Sequence, residues 1–132
     1  MRALDTNVLV RYIVHDDDAQ HAAAAAQIDG AVERSETFFV SDPVLCELVW
    51  VLRATYRQDR AALVPVLRSL VAAQHLTFPE RDGVVRAVDA FARGQGDFAD
   101  YLIRERALAA GCDAVVTFDR ALHREPGFVP PA

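Results

Sequence analysis

Apolar residues along this chain change their spacing several times, and each change marks an element. Arg2-Ala3-Leu4 opens as a short strand. Asp5-Thr6-Asn7 then offers oxygens suited to a helix start, and Val8, Leu9, Tyr12 and Ile13 follow at helical spacing. A second helix is expected over residues 18–34, through the alanine run 22–26. Thr37-Phe38-Phe39-Val40 is β-branched and aromatic and reads as a buried strand. Ser41-Asp42-Pro43 is a cap with a first-turn proline, opening a helix through about residue 57. A further helix over 60–74 must accommodate Pro65 as a kink or as its true start.

The second half repeats the alternation. Leu76-Thr77-Phe78 is a short strand closed by Pro79, residues 83–93 are helical, and Gly94-Gln95-Gly96 turns the chain. Residues 98–110 form a helix that Gly111 terminates, and Ala114-Val115-Val116-Thr117-Phe118 is the clearest strand. A short helical turn after Asp119 and an edge strand at Phe128-Val129 complete the chain. Strands alternating with helices predict an α/β domain, with a mostly parallel central sheet of four to five short strands flanked by helices. No repeat or linker divides it, so residues 1–132 are expected to form one domain.

Composition narrows the class. With 52% hydrophobic residues and 25% charged ones, the chain has enough apolar surface for one core, which excludes a disordered tail or a disulfide miniprotein. The net charge of −5 argues against a basic nucleic-acid clamp. All 14 basic residues are arginine. Cys46 and Cys112 lie far apart and are expected as buried, reduced thiols. His15, His21, His75 and His123 have no metal-ligand spacing, and His15-Asp16-Asp17-Asp18 reads as an exposed turn. Without a leader or an apolar run near the roughly 20 residues of a membrane span, a soluble cytoplasmic protein is expected.

Carboxylates carry the candidate chemistry. In open α/β sheets, functional groups collect beyond the carboxyl ends of strands. Asp5 follows the first strand and Asp119 the strand over 114–118, while Asp97 and Asp100 begin the helix that feeds the latter. Glu47 lies one turn into the helix after Phe39-Val40, among Val44, Leu45, Leu48, Val49 and Val51, on a stripe expected to be buried. A buried acid needs an arginine, a set of hydrogen bonds or a cation. Helix capping would explain Asp97, Asp119 or Asp5 individually. Together they suit a hard divalent cation such as Mg²⁺ or Mn²⁺, and hence metal-assisted hydrolysis of a phosphodiester.

These residues resemble a known family. Leu4-Asp5-Thr6-Asn7-Val8-Leu9, Ser41-Asp42-Pro43-Val44-Leu45-Cys46-Glu47, Asp97-Phe98-Ala99-Asp100-Tyr101-Leu102-Ile103 and Val116-Thr117-Phe118-Asp119 resemble the four ordered motifs of the PIN-domain ribonucleases. The stand-alone VapC-type toxins of bacterial toxin–antitoxin pairs are the nearest in length. The resemblance implies a three-layer PIN-like fold and an Mg²⁺-dependent endoribonuclease, with Mn²⁺ as a substitute. It implies a homodimer neutralised by a small antitoxin, with RNA as substrate and 5′-phosphate and 3′-hydroxyl products. Asp5, Glu47, Asp100 and Asp119 match its acidic quartet, with Asp97 as an additional candidate ligand. Thr6, Asn7 and Thr117 match its bracing polar residues. Arg11 and Arg120 are candidate contacts to RNA phosphates, with Arg104 and Arg106 further arginines on the helix after Asp100.

Rival classes fare worse. Receiver domains and haloacid-dehalogenase-type phosphatases also place aspartates at strand ends, but both normally need a lysine to meet the phosphoryl group, and this chain has none. The alternative is a catalytically inactive PIN-fold module that binds RNA or protein. Such a module should have lost part of the acidic set, whereas every matching position here is acidic.

Overall fold

A computed structural model describes residues 1–132 and divides them into two compact units, Met1–Pro79 and Glu80–Ala132. The first unit contains β1 (Arg2–Ala3), α1 (Thr6–Ile13), α2 (Asp18–Glu33), β2 (Phe38–Phe39), α3 (Asp42–Ala54), α4 (Arg60–Ala72) and β3 (Leu76–Thr77). Its strands form a parallel sheet in the order β1-β2-β3, with Arg2 opposite Phe38 and Phe38 opposite Leu76. The ladder runs one residue beyond the strands. The Leu4 N–H donates to the Phe39 carbonyl and that of Val40 to the Thr77 carbonyl, both at 2.9 Å. Asp5 therefore stands directly past the carboxyl end of β1.

Helix α1 packs against α2 and α3, and Leu9, Ile28, Leu45, Leu48, Leu52, Leu63 and Leu67 are fully buried. Asp17 caps α2 and Asp59 caps α4, each accepting from a backbone N–H three residues on. Helix α4 runs on through Pro65, which is exposed and does not set its start. Helix α3 ends three residues earlier than its apolar run suggests. Arg57 takes a left-handed φ of 55°, and the Gln58 N–H returns to the Leu52 carbonyl at 3.0 Å.

The second unit contains α5 (Arg81–Arg93), α6 (Phe98–Ala109), β4 (Val115–Val116), a 3₁₀ turn (Leu122–Arg124) and β5 (Phe128–Val129). β4 and β5 pair in parallel. The Thr117 N–H extends the ladder to the Val129 carbonyl, which leaves Asp119 just beyond the carboxyl end of β4. Helix α5 begins two residues before its expected start, at a left-handed Glu80 cap directly after Pro79, where the sequence offers no Ser, Thr or Asp signal. Helices α5 and α6 pack together around Phe91 and Phe98, whose rings meet edge to face with centroids 6.2 Å apart.

Helix α6 closes in a Schellman arrangement. Gly111 sits at φ 92°, and the N–H groups of Gly111 and Cys112 return to the carbonyls of Leu108 and Ala107. Cys112 is consequently exposed in a turn, and Cys46 is half-buried. Both thiols are free, but neither is fully buried as expected. The α/β class, the six helices and the parallel strands agree with the sequence reading. No helix is long and apolar enough to cross a membrane.

Candidate active site

Within the first unit, Asp5 caps α1. Its Oδ1 accepts from the Thr6 N–H at 2.8 Å, which fixes the carboxylate at the mouth of a pocket of about 280 Å³. The pocket is lined by Asp5, Thr6, Asn7, Arg11, Glu47 and Tyr56, with Val10, Val51 and Thr55. Thr6 is buried and Asn7 exposed.

Glu47 corrects an expectation, because it is exposed rather than buried. The stripe of α3 that enters the core is Leu45, Leu48, Val49 and Leu52. At about 3.6 residues per turn, Glu47 lies roughly on the opposite side of the helix. It is therefore a solvent-accessible carboxylate sharing a pocket with Asp5. Trp50 is likewise turned outward, 66% exposed.

The acid that is buried among apolar side chains is Glu105, only 5% exposed. The partner chemistry expected for Glu47 operates there. Arg86 Nε donates to its Oε1 at 2.6 Å, and Arg104 Nε to its Oε2 at 3.3 Å.

Arg11 also lines the first-unit pocket but is engaged. Its guanidinium donates to Asp16 at 2.7 Å and to Gln20 at 2.6 Å. The Tyr56 hydroxyl donates to the other Asp16 oxygen at 2.8 Å. First the Tyr56 hydroxyl and then Arg11 outweigh desolvation and hold the Asp16 carboxyl below its ordinary value. The remaining polar residues of the 15–18 turn are used locally: His15 pairs with Asp18 at 2.9 Å and stacks on His21.

Within the second unit, Asp97, Asp119 and Glu125 all lie close enough to Asp100 to act on it electrostatically. Asp97 is the N-cap of α6, and the Asp100 Oδ2 accepts from its N–H at 2.9 Å. Asp119 follows a Thr117 whose Oγ1 accepts from the Asp119 N–H at 3.1 Å, and Asp119 Oδ1 accepts from the Ala121 N–H at 3.0 Å. The capping expected at the start of α6 is thus present, whereas Asp119 bonds the turn ahead of the 3₁₀ segment, whose own N-cap is Ala121. Arg120 is exposed beside Asp119, whereas Arg104 and Arg106 are held by Glu105 and Glu80.

The Asp100 carboxyl is pushed above its ordinary value. Burial is the largest cause, and the charges of Asp97, Asp119 and Glu125 add to it against the hydrogen bond from the Asp97 backbone. Glu125 was not among the acids singled out from sequence. It stands alone between Arg124 and Pro126, and its partner Tyr101 is 24 positions away.

The chemistry of this donor set fits a hard divalent cation. It is all carboxylate, partly desolvated and mutually repelling, which is the condition a cation relieves. As placed, no three acidic, His or Cys side chains within either unit are close enough to share one ion. The carboxylates are held instead by the backbone bonds just described.

Comparison with known proteins places the chain in a family. The chain is 24% identical over 120 residues to a protein described as a VapC ribonuclease from Aquifex aeolicus (strain VF5), covering 91% of this chain and 88% of that one. The family model for the PIN domain matches residues 2–127, from β1 to the residue before β5. The chain belongs to the PIN domain family.

Proposed function

We propose that this protein is a divalent-metal-dependent endoribonuclease that acts as the toxin of a type II toxin–antitoxin pair. The observation that carries the reading is the Asp97, Asp100, Asp119 and Glu125 group, in which the half-buried Asp100 carboxyl is driven up first by burial and then by its anionic neighbours. A fold does not need such a repulsive group for stability. A nuclease that recruits Mg²⁺ does. The similarity to a protein named as a ribonuclease supports the same class.

In this reading Asp5, Asp100 and Asp119 hold Mg²⁺, or Mn²⁺ in its place, and Asp97 assists. The cation, when bound, supplies Lewis-acid stabilisation of charge at the scissile phosphate. Glu47, exposed and lining the same pocket as Asp5, orients the attacking water and takes its proton. The Thr6 N–H braces Asp5, the Thr117 hydroxyl braces the start of the Asp119 turn, and Asn7 lines the same pocket as Asp5. Arg120 is free to meet an RNA phosphate, and Arg11 could do so on leaving Asp16. The partners are RNA, a small cognate antitoxin and a second copy of the chain, in the cytoplasm.

Purified protein incubated with RNA should produce 5′-phosphate ends in Mg²⁺ or Mn²⁺ and none after chelation, and Asp100→Ala should produce none. RNA binding without cleavage in either metal would instead identify a binding module on the same fold.

A further inference from the structure

Tyr101 and Glu125 form a clamp to which the proposed chemistry gives no role as ligand, base or phosphate contact. Tyr101 is 0% exposed. Its hydroxyl accepts from the Gly96 N–H at 2.9 Å and lies 2.6 Å from each Glu125 carboxylate oxygen, to which it donates. A phenol has one proton to give, so the two Glu125 oxygens share it while the lone pairs receive Gly96. The ring is fixed as well. Phe128 meets it edge to face at 6.3 Å, and the Arg104 guanidinium lies 5.3 Å from its centroid while Arg104 Nη1 donates to the Pro126 carbonyl. Space is equally constrained, because a Cβ at Gly94 would collide with both the Tyr101 hydroxyl and Glu125 Oε1. Gly94 is needed here for room, since its φ of −96° is open to any residue.

The clamp ends on the acidic group. Gly96 precedes Asp97, whose N–H donates to Asp100 Oδ2. A continuous path therefore runs from Glu125 through Tyr101 and Gly96 to the two acids at the start of α6.

We propose that Glu125, acting through Tyr101, is a positioning residue that fixes the Gly94-Gln95-Gly96-Asp97 turn and so presets Asp97 and Asp100 for a divalent cation. The inference rests on the reading of this acidic group as a cation site. Glu125 is needed as a hydrogen-bond acceptor, and its charge is secondary. Partners one step removed from a metal typically contribute about 10- to 100-fold in metal affinity by orienting its ligands.

Mn²⁺ binding, followed by the spectroscopic signal of free Mn²⁺, tests this without reference to turnover. Tyr101→Phe and Glu125→Ala should each weaken binding about 10-fold. Glu125→Gln, whose amide oxygen still accepts from Tyr101, should stay within about 3-fold of the unaltered protein, below that range. Exchange of the Gly96 amide should accelerate in Tyr101→Phe and remain slow in Glu125→Gln. Glu125 is only half-buried, so its variants remain informative if loss of the buried Tyr101 hydroxyl prevents folding. Unaltered Mn²⁺ affinity in folded Glu125→Ala would overturn the proposal, as would a Glu125→Gln as weak as Glu125→Ala. If the unaltered protein bound Mn²⁺ and cleaved RNA while the clamp variants bound equally well, the clamp alone would fail. If the unaltered protein neither bound Mn²⁺ nor cleaved RNA, the nuclease reading would fail with it.

Discussion

The two compact units treat their acids in opposite ways. In Met1–Pro79 the perturbed carboxyl is Asp16, which has a phenol and a guanidinium to itself and is held low. In Glu80–Ala132 it is Asp100, driven high by burial first and then by Asp97, Asp119 and Glu125. The second unit is not short of cations. Arg86, Arg104 and Arg106 are spent on Glu105 and Glu80 instead. These arginines tie helices together, while the raised carboxyl of the unit is the one set among further acids. The difference separates a carboxyl held low by a phenol and a guanidinium from one that burial and neighbouring acids both work against.

The largest effects should come from removing acids of each unit in turn. Asp100→Ala and Asp5→Ala are each expected to lower RNA cleavage by on the order of a thousandfold, the worth of several kcal/mol of charge stabilisation. Single-turnover cleavage with a check of folding would measure this. A folded Asp5→Ala enzyme with undiminished activity would confine the chemistry to the second unit and break the comparison.

Core loss comes next. Phe91→Ala removes a fully buried ring from the second unit and should cost about 3–5 kcal/mol in denaturant unfolding. Trp50→Ala, at an exposed position, should stay within about 0.5 kcal/mol. The reading of residues 1–132 as one domain also requires the Phe91→Ala transition to remain single, with probes in both units coincident.

Titration should show the two acids with opposite signs. Asp100 has a raised folded value, so its contribution to metal-free stability is full below the ordinary 3.8 and is lost as pH rises through the raised value. Asp16 has a lowered value, so its contribution is present above 3.8 and is lost as pH falls through the lowered value. Thermal midpoints across the carboxylate range should therefore lose their decline with rising pH in Asp100→Asn, and their decline with falling pH in Asp16→Asn. Added Mn²⁺ should offset the Asp100 decline alone.

The smallest effect distinguishes the two candidate phosphate contacts. Arg120→Ala should raise KM a few-fold and reduce the salt slope of RNA binding by about 1. Arg11→Ala should change it less, because that guanidinium is already committed to Asp16 and Gln20.

Local signals made much of this legible in advance. The carboxylates of Asp5, Asp100 and Asp119 accept from backbone groups one to three residues away, so the sequence displays both partners together. Gly111 marks its helix end for the same reason. What escaped was decided by orientation or by distance along the chain. Helix α3 is apolar on nearly every face, so its pattern does not say which stripe enters the core. Packing against α1 selects Leu45, Leu48, Val49 and Leu52, and leaves Glu47 accessible. Arg104-Glu105-Arg106 looks like a solvated charge run until Arg86, from α5, meets Glu105. Glu125 lies in a connecting segment and meets its partner, a tyrosine of α6, only across 24 positions of chain.

The outward-facing Trp50 has a practical consequence. It is the only indole in the chain and is already in water, so its emission should be red-shifted in the native state and change little on unfolding. Intrinsic tryptophan fluorescence would then under-report denaturation of this protein, while a molecule settling on the outer face of α3 would shift the same emission to the blue. The fluorophore is a poor thermometer for the fold and a well-placed reporter of whatever covers that helix.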